Sequence, residues 1–155
     1  MNCNTLLSFL SRHSRVPVFA CFLEELEALP SLCDSHCIVL FSTTQEQTSH
    51  WTVLYAQGAD AIYFDSLAEE IPSSLERLLE GSFANWSHLT TPLQSGESES
   101  CGYFCAFCVY YLLQGGGLET TLGLLTDNAQ TNEQIISQFA SRILETPGVS
   151  AFTTH

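Results

Sequence analysis

The chain has 155 residues, 45% of them hydrophobic, which is enough for one domain with a sizeable core and too few for two ordinary domains. Its 17 acidic residues stand against four arginines and no lysine, and the net charge of −13 argues against nucleic-acid binding because it repels phosphate backbones. No stretch approaches the roughly 18 unbroken apolar residues of a membrane span, and no basic segment precedes the first apolar run, so neither a membrane anchor nor a secretory signal is predicted.

The N-terminal part of the chain predicts a helix and a central strand. Residues 1–14 form the predicted N-terminal helix, because their apolar residues recur at helical spacing. After Pro17, the run Val18–Phe22 leads into an acidic helical segment, 23–29, which we interpret as a solvated surface. The compact apolar run Cys37–Phe41 is rich in residues that favour strands and predicts a central strand.

A β-hairpin is predicted after the polar loop 42–49. Its arms are Trp51–Tyr55 and Ala61–Phe64, joined by a turn at 57–60. His50 precedes the first arm and Asp65 follows the second. Because these two ends are neighbours in an antiparallel pair, the hairpin predicts that the His50 and Asp65 side chains lie close together.

The second half of the chain is mainly helical in pattern. We expect a helix over 72–81, a short edge strand over 88–93, a helix-like segment over 118–125 and an amphipathic helix over 132–144. The tail 147–155 is expected to be loose.

The apolar segment Cys101–Gln114 ends at three glycines and is predicted to be the central helix, with Ser98 or Ser100 as its N-cap. We therefore expect a single α+β domain over 1–155. In this architecture a mixed or antiparallel sheet packs against the central helix, whose N-terminus carries Cys101.

Seven cysteines without a predicted secretory signal indicate an intracellular, reducing compartment, in which thiols are buried or catalytic rather than bridged. Two runs have spacings that could be mistaken for metal ligands: Cys33-x-x-His36-Cys37 and Cys101-x3-Cys105-x2-Cys108. Both lie in apolar segments and lack the usual paired Cys-x2-Cys pattern of structural zinc sites. We therefore predict no metal and no other cofactor, and interpret Cys105 and Cys108 as core residues.

Cys101 lies in the first turn of the central helix, where unpaired N–H groups and the helix dipole favour a thiolate. A cysteine nucleophile also needs a base, a group that orients the base, and donors for the oxyanion. The hairpin offers His50 as base and Asp65 as orienter. Gln94 and the N–H of Cys101 are the candidate oxyanion donors, and Gly102 leaves room for a substrate backbone.

Each of these residues also has a structural interpretation. Cys101 could be a small buried hydrophobe, and His50 could be satisfied by a backbone carbonyl at a strand edge. Asp65 could cap the turn after its strand, and Gln94 could be a surface amide. Their joint order and placement favour catalysis. The histidine precedes a strand, the aspartate follows the paired strand, the glutamine lies in the loop, and the cysteine begins a helix. Together they supply the base, its orienter, an oxyanion donor and the nucleophile.

These residues resemble the motifs of the adenain-like cysteine proteases, in the clan shared with ubiquitin-like-protein deconjugases. The resemblance covers roughly residues 15–145, with softer matches at 18–21 and 131–139, and it rests on His50-Trp51, Tyr63-Phe64-Asp65-Ser66, Gln94 and Ser100-Cys101-Gly102-Tyr103-Phe104-Cys105. It implies His50 as base, Asp65 as orienter, Gln94 as oxyanion donor and Cys101 as nucleophile. Trp51 would border a groove that accepts glycine.

The resemblance implies a cysteine endopeptidase that makes limited cleavages next to glycine in viral structural precursors during virion maturation. Such a protein would work in the host nucleus or cytoplasm and in the virion. Its partners would be protein substrates, and the acidic surface would attract basic ones, although such a surface often serves only solubility. The alternatives are a deconjugase of a ubiquitin-like modifier, for which 155 residues leave little docking surface, and an inactive binding module of the same fold.

The chain departs from the adenovirus enzymes in its activation. Those enzymes use DNA and a short peptide that is disulfide-linked to a cysteine before the glutamine. Residues 82–93 contain no cysteine here, and the charge opposes DNA. We therefore expect that neither activation mode applies, and the nature of any activating peptide stays open.

Overall fold

A computed structural model of the chain describes residues 3–28, 36–42, 50–96 and 98–144. Five β-strands in these ranges are β1 (Val18–Phe22), β2 (His36–Ser42), β3 (Trp51–Gln57), β4 (Asp60–Phe64) and β5 (Asn85–His88). Five α-helices accompany them: α1 (Cys3–His13), α2 (Ser73–Ser82), α3 (Cys101–Leu113), α4 (Leu118–Leu122) and α5 (Ala129–Phe139). The predictions for Cys33, for 43–49 and for the tail 147–155 lie outside the described residues.

The strands form one mixed sheet in the order β1-β2-β3-β4-β5. The β2–β3 and β3–β4 pairs are antiparallel, whereas β1–β2 and β4–β5 are parallel. The hairpin of β3 and β4 closes at the pair Gln57 and Asp60, with Gly58 at a positive φ of 63° that suits glycine. The predicted α+β class, the mixed sheet and the central place of β2 are confirmed.

Both faces of the sheet are buried, because β2 is apolar at consecutive positions. Ile38 and Leu40 belong to one hydrophobic core, which they share with residues of α1, α3 and α5. Val39 and Phe41 belong to a second core on the other face, which includes residues of α2. Successive side chains of a strand point to opposite faces, so an unbroken apolar run is the pattern of a strand covered on both sides.

The central helix α3 is buried on nearly every side, as its uniformly apolar sequence predicts. It packs between α1 and β3, and aromatic rings of α1, α3 and α5 meet around Phe139. The helix ends at Leu113, with Gln114 as its C-cap, and Gly115 follows at a φ of 90°. This packing fixes the position of the first turn of α3 relative to β3.

The N-cap prediction for α3 is correct in position and wrong in mechanism. Ser100 occupies the N-cap position, but its hydroxyl makes no capping hydrogen bond. It donates instead to Oε2 of Glu133 in α5, at 2.6 Å. The Ser100 hydroxyl therefore connects the start of α3 to α5 instead of capping α3.

The strand predicted over 88–93 is misplaced, since β5 ends at His88. Leu89 and Leu93 are buried in the core that contains Ile38 and Leu40, without belonging to the sheet. Pro92 has no N–H with which to hydrogen-bond a neighbouring strand. The true strand, Asn85-Trp86-Ser87-His88, is mostly exposed because, among the strands that the structure describes, it lies at the edge of the sheet beside β4. Its polar sequence therefore lacks the apolar alternation by which strands are recognised.

Three other segments differ from their predicted limits. The acidic segment 23–29 is a 3₁₀ helix over Leu23–Ala28, and the helix-like segment 118–125 shortens to α4. The last helix begins at Ala129 rather than 132, because the Asn128 side chain caps it by accepting the Thr131 N–H at 2.9 Å. Within the described ranges, no helix has the length and apolarity that crossing a membrane requires.

Candidate active site

The β-hairpin brings His50 and Asp65 into direct contact, as its pairing predicts. Nε2 of His50 lies 2.5 Å from Oδ1 of Asp65. The Asp65 residue is only 6% exposed, so the contact is largely shielded from water. The ring nitrogen Nδ1 is consequently the one available to a further partner.

Asp65 is itself held rigidly by the turn that follows β4. Its Oδ1 accepts the Leu67 N–H at 2.9 Å, and its Oδ2 accepts the Glu69 N–H at 3.2 Å. These hydrogen bonds from backbone N–H groups fix the orientation of the carboxylate. Asp65 thus combines the structural role of a turn residue with the orientation of His50.

Helix α3 brings Cys101 to the same point through contacts with the main chain of Trp51. The Trp51 N–H donates to Sγ of Cys101 at 3.4 Å, and Sγ of Cys105, one turn along, donates to the Trp51 carbonyl at 3.4 Å. The Cys101 and His50 side chains lie close enough for each to shift the pKa of the other. Cys101, His50 and Asp65 therefore form a continuous row.

The electrostatics of this row favour a charged pair. Burial raises the pKa of the Cys101 thiol, but the hydrogen bonds from His50 and from the Trp51 N–H outweigh burial and hold that pKa below its usual value. Burial lowers the pKa of His50, whereas the contacts with Asp65 and Cys101 raise it, with a net rise to about 10. The lowered pKa of Cys101 and the raised pKa of His50 both shift the pair towards thiolate and imidazolium.

The neighbouring thiols of α3 have a different environment. Cys105 and Cys108 are fully buried, and burial raises the pKa of each well above its usual value, so both stay protonated. Both belong to the hydrophobic core, as predicted. Among the described residues, no cluster of three or more His, Cys, Asp or Glu side chains could hold a metal.

Gln94 is 3% exposed, so the interpretation as a surface amide is wrong. Its Oε1 accepts the Ser66 hydroxyl, and its Nε2 donates to the Ser98 carbonyl at 2.8 Å. The amide nitrogen carries two hydrogens, and the contact with Ser98 uses one of them. The role of Gln94 as oxyanion donor stays a prediction, which the second hydrogen allows.

Trp51 and Gly102 flank the reactive thiol. Trp51 is partly buried at the start of β3, where its side chain packs against the core that contains Ile38 and Leu40. Gly102 is buried in the first turn of α3, and its backbone hydrogen-bonds to Cys101. Both lie beside Cys101, and their substrate-binding roles stay predictions.

Sequence reasoning missed a set of polar residues that support the loop before Cys101. Oγ of Ser98 and Oγ of Ser100 are 2.5 Å apart, and the Ser100 hydroxyl continues to Glu133. Together with Ser66 and Gln94, these residues link β4 to α5. No spacing signal in the sequence connects them, because they come from three separate segments.

Comparison with protein-family models gives no match, and comparison with curated protein sequences gives none either. Solved structures do resemble the chain. The ASFV pS273R protease has a TM-score of 0.55 at 15% identity, over 72% of this chain and 45% of its own, so the chain spans less than half of that protein. ChlaDub1 from Chlamydia trachomatis has a TM-score of 0.54 at 14% identity, over 94% of this chain and 79% of its own. The SUMO protease Ulp1 has a TM-score of 0.51 at 13% identity, over 94% of this chain and 79% of its own.

At these identities the resemblance establishes the fold and leaves the activity to be tested. The compared proteins are cysteine proteases and ubiquitin-like-protein deconjugases of one clan, the same clan that the sequence motifs resemble. The five-stranded mixed sheet and the buried helix that begins at Cys101 are accordingly the fold of the adenain-like and Ulp1-like cysteine proteases.

Proposed function

We propose that the chain is a thiol endopeptidase with Cys101 as its nucleophile. One observation carries the proposal: Cys101, at the N-terminus of a buried helix, lies beside His50, whose ring is held by Asp65, and each of the two shifts the pKa of the other. A purely structural cysteine has no need of a charged partner, and burial alone would raise its pKa. The same contact argues against an inactive binding module.

In the acylation step the Cys101 thiolate attacks the carbonyl carbon of the scissile peptide bond. The carbonyl oxygen becomes an oxyanion, which takes hydrogen bonds from the Cys101 N–H and from Nε2 of Gln94. His50 then gives its proton from Nδ1 to the leaving amine as the C–N bond breaks. The product is a thioester on Cys101, with His50 neutral.

In the deacylation step the neutral His50 acts as a base. It takes a proton from a water molecule, whose oxygen attacks the thioester carbonyl. The C–S bond breaks, the carboxylic product leaves, and the Cys101 thiolate and His50 imidazolium are restored. Asp65 keeps the ring oriented throughout and stabilises its charged form.

The substrates we propose are viral structural precursors, cleaved next to glycine during virion maturation in the host nucleus or cytoplasm and in the virion. Trp51 and Gly102 beside Cys101 support a narrow site for a glycine backbone. The likeness to the ASFV pS273R protease supports the viral setting. The net charge of −13 favours basic protein substrates.

A deconjugase of a ubiquitin-like modifier is the second candidate. The observation that favours it is the extent of the match to Ulp1 and ChlaDub1, each over 94% of this chain and 79% of its own. The Ulp1 protease domain has been solved in complex with Smt3, the yeast ortholog of SUMO. A chain of 155 residues can therefore carry most of such a domain.

The proposal is tested with peptides containing Gly-Gly and Gly-Ala bonds, analysed by mass spectrometry. The wild-type chain should cleave a subset, and Cys101→Ala should abolish cleavage while the circular dichroism spectrum is retained. Cys108→Ala, one of the buried core thiols, is the matched control and should keep activity. Cleavage by Cys101→Ala at the wild-type rate would contradict the assignment. Rapid labelling of Cys101 by an electrophilic di-Gly modifier probe, without peptide cleavage, would favour the deconjugase.

A further inference from the structure

Ser66 makes three hydrogen bonds to the segment that carries the candidate oxyanion donor. It lies directly after Asp65, is fully buried, and its carbonyl accepts the N–H groups of Leu93 at 2.8 Å and of Gln94 at 3.1 Å. Its hydroxyl donates to Oε1 of Gln94. Ser66 therefore holds both the main chain and the side chain of Gln94.

The chemistry of these contacts determines which way the Gln94 amide faces. A primary amide has an acceptor end and a donor end, and only the donor end can stabilise an oxyanion. The Ser98 carbonyl can only accept, so it requires Nε2 and turns Oε1 towards Ser66. The Ser66 hydroxyl then donates to Oε1 and holds the amide in that orientation.

The position of Ser66 also connects the two halves of the site. Asp65 holds the base, His50, while the next residue holds the oxyanion donor. Two consecutive residues at the end of β4 therefore set the distance between base and donor. Any shift of this turn would move both groups together.

We propose that Ser66 is a positioning residue for catalysis, which acts through Gln94 by presenting its free amide N–H to the oxyanion. This inference rests on the proposed thiol-protease function. It concerns acylation alone, since the Cys101 thiolate is stabilised by His50 and Trp51, which Ser66 does not contact.

The experiment compares two reactions of Cys101 in Ser66→Ala. Alkylation by iodoacetamide forms no oxyanion, so its rate should stay within about twofold of wild type. Acylation by the p-nitrophenyl ester of N-acetylglycine forms an oxyanion, so its rate should fall roughly tenfold to a hundredfold, less than the 10²–10³-fold typical of losing the donor itself. Ser74→Ala, at an exposed position in α2, is the matched control and should change neither rate.

A double-mutant cycle tests whether Ser66 acts through Gln94. If it does, Ser66→Ala in the Gln94→Ala background should cause little further loss of acylation, because residues that act as one unit are not additive. Equal acylation by wild type and Ser66→Ala, fully additive losses, or a parallel loss of alkylation would each overturn the inference. Should the alanine variant fail to fold, Ser66→Cys, whose thiol is a weaker donor, gives the same comparison.

The proposed function and this inference fail in different ways. If wild type and Cys101→Ala release nitrophenol equally, the thiol-protease assignment fails and the inference falls with it. If wild type acylates through Cys101 and Ser66→Ala matches it, only the role of Ser66 is wrong.

Discussion

Asp65 illustrates how one side chain can serve a turn and a reaction at once. Its Oδ1 accepts from both His50 and the Leu67 N–H, and its Oδ2 accepts from the Glu69 N–H. The two N–H groups belong to the turn after β4, so the same turn contacts also hold the carboxylate against the His50 ring. Its contact with the ring raises the pKa of His50 against the lowering effect of burial.

Replacing that charge should disable the site without changing its shape. Asp65→Asn keeps the size of the side chain but removes the negative charge, so the pKa of His50 should fall and the thiolate should lose its partner at neutral pH. We expect peptide cleavage at pH 7 to fall by up to about 10⁴-fold, as in other catalytic triads.

The matched control is Asp60→Asn, at the opposite end of the same hairpin, where the carboxylate accepts the Asn85 side-chain amide at 3.1 Å. It should leave kcat/KM near the wild-type value. Retention of more than a tenth of activity by Asp65→Asn would show that Asp65 does not support His50.

At the scale of elements, the site depends on how α5 and the loop before α3 are held together. Asn132 of α5 is fully buried and makes four hydrogen bonds. Its Nδ2 donates to the carbonyls of Leu93 at 3.0 Å and Thr126 at 2.8 Å, and its Oδ1 accepts the Thr126 N–H at 2.7 Å and hydroxyl at 3.0 Å. Asn132 thereby anchors the residue next to Gln94.

Removing this anchor should destabilise the fold. Asn132→Ala leaves the Leu93 carbonyl without its partner in a buried contact and also removes the partners of the Thr126 carbonyl and N–H, and an unpaired buried group costs about 1–3 kcal/mol. We expect the free energy of unfolding, measured in urea, to fall by at least about 2 kcal/mol. Gln134→Ala, at an exposed position of the same helix, should stay within about 0.5 kcal/mol of wild type. Equal stability of the two variants would contradict the anchoring role.

Periodic elements were predictable from the sequence because apolar spacing reports burial directly. The hairpin, the central strand and α3 follow from such patterns, and the hairpin alone predicts the contact of His50 with Asp65. The edge strand β5 was misplaced because its exposed residues carry no such pattern. The hydrogen bonds of Ser66, Asn132 and Glu133 could not be predicted, since a buried polar residue with distant partners looks the same in sequence as an exposed one.

At the scale of the whole molecule, the surface charge should shape substrate choice. The net charge of −13 creates a negative potential that attracts basic chains over distances set by ionic strength. The screening length falls from about 30 Å at 0.01 M salt to about 8 Å at 0.15 M. Long-range selection for basic substrates should therefore be strongest at low salt.

Two peptides with one cleavage sequence and either lysine or glutamate flanks test this effect. We expect kcat/KM to be severalfold higher for the lysine peptide at 0.01 M salt, with the two values converging at 0.15 M as screening increases. A ratio that does not change with salt would indicate that the acidic surface serves solubility alone.

The pairing of the Cys101 thiolate with protonated His50 is tested most directly by the pH dependence of Cys101 alkylation with iodoacetamide, followed by mass spectrometry in wild type and His50→Ala. Although burial raises the pKa of Cys101, its contacts with His50 and the Trp51 N–H lower that pKa overall, so the wild-type rate should reach its plateau at a lower pH than an ordinary thiol does. Without His50, burial should raise that pKa, and alkylation should be lost at neutral pH and appear only near or above the ordinary thiol pKa of about 8.5. A wild-type profile that rises only near that alkaline value, and that His50→Ala leaves unchanged, would contradict the assignment of Cys101 as an activated nucleophile.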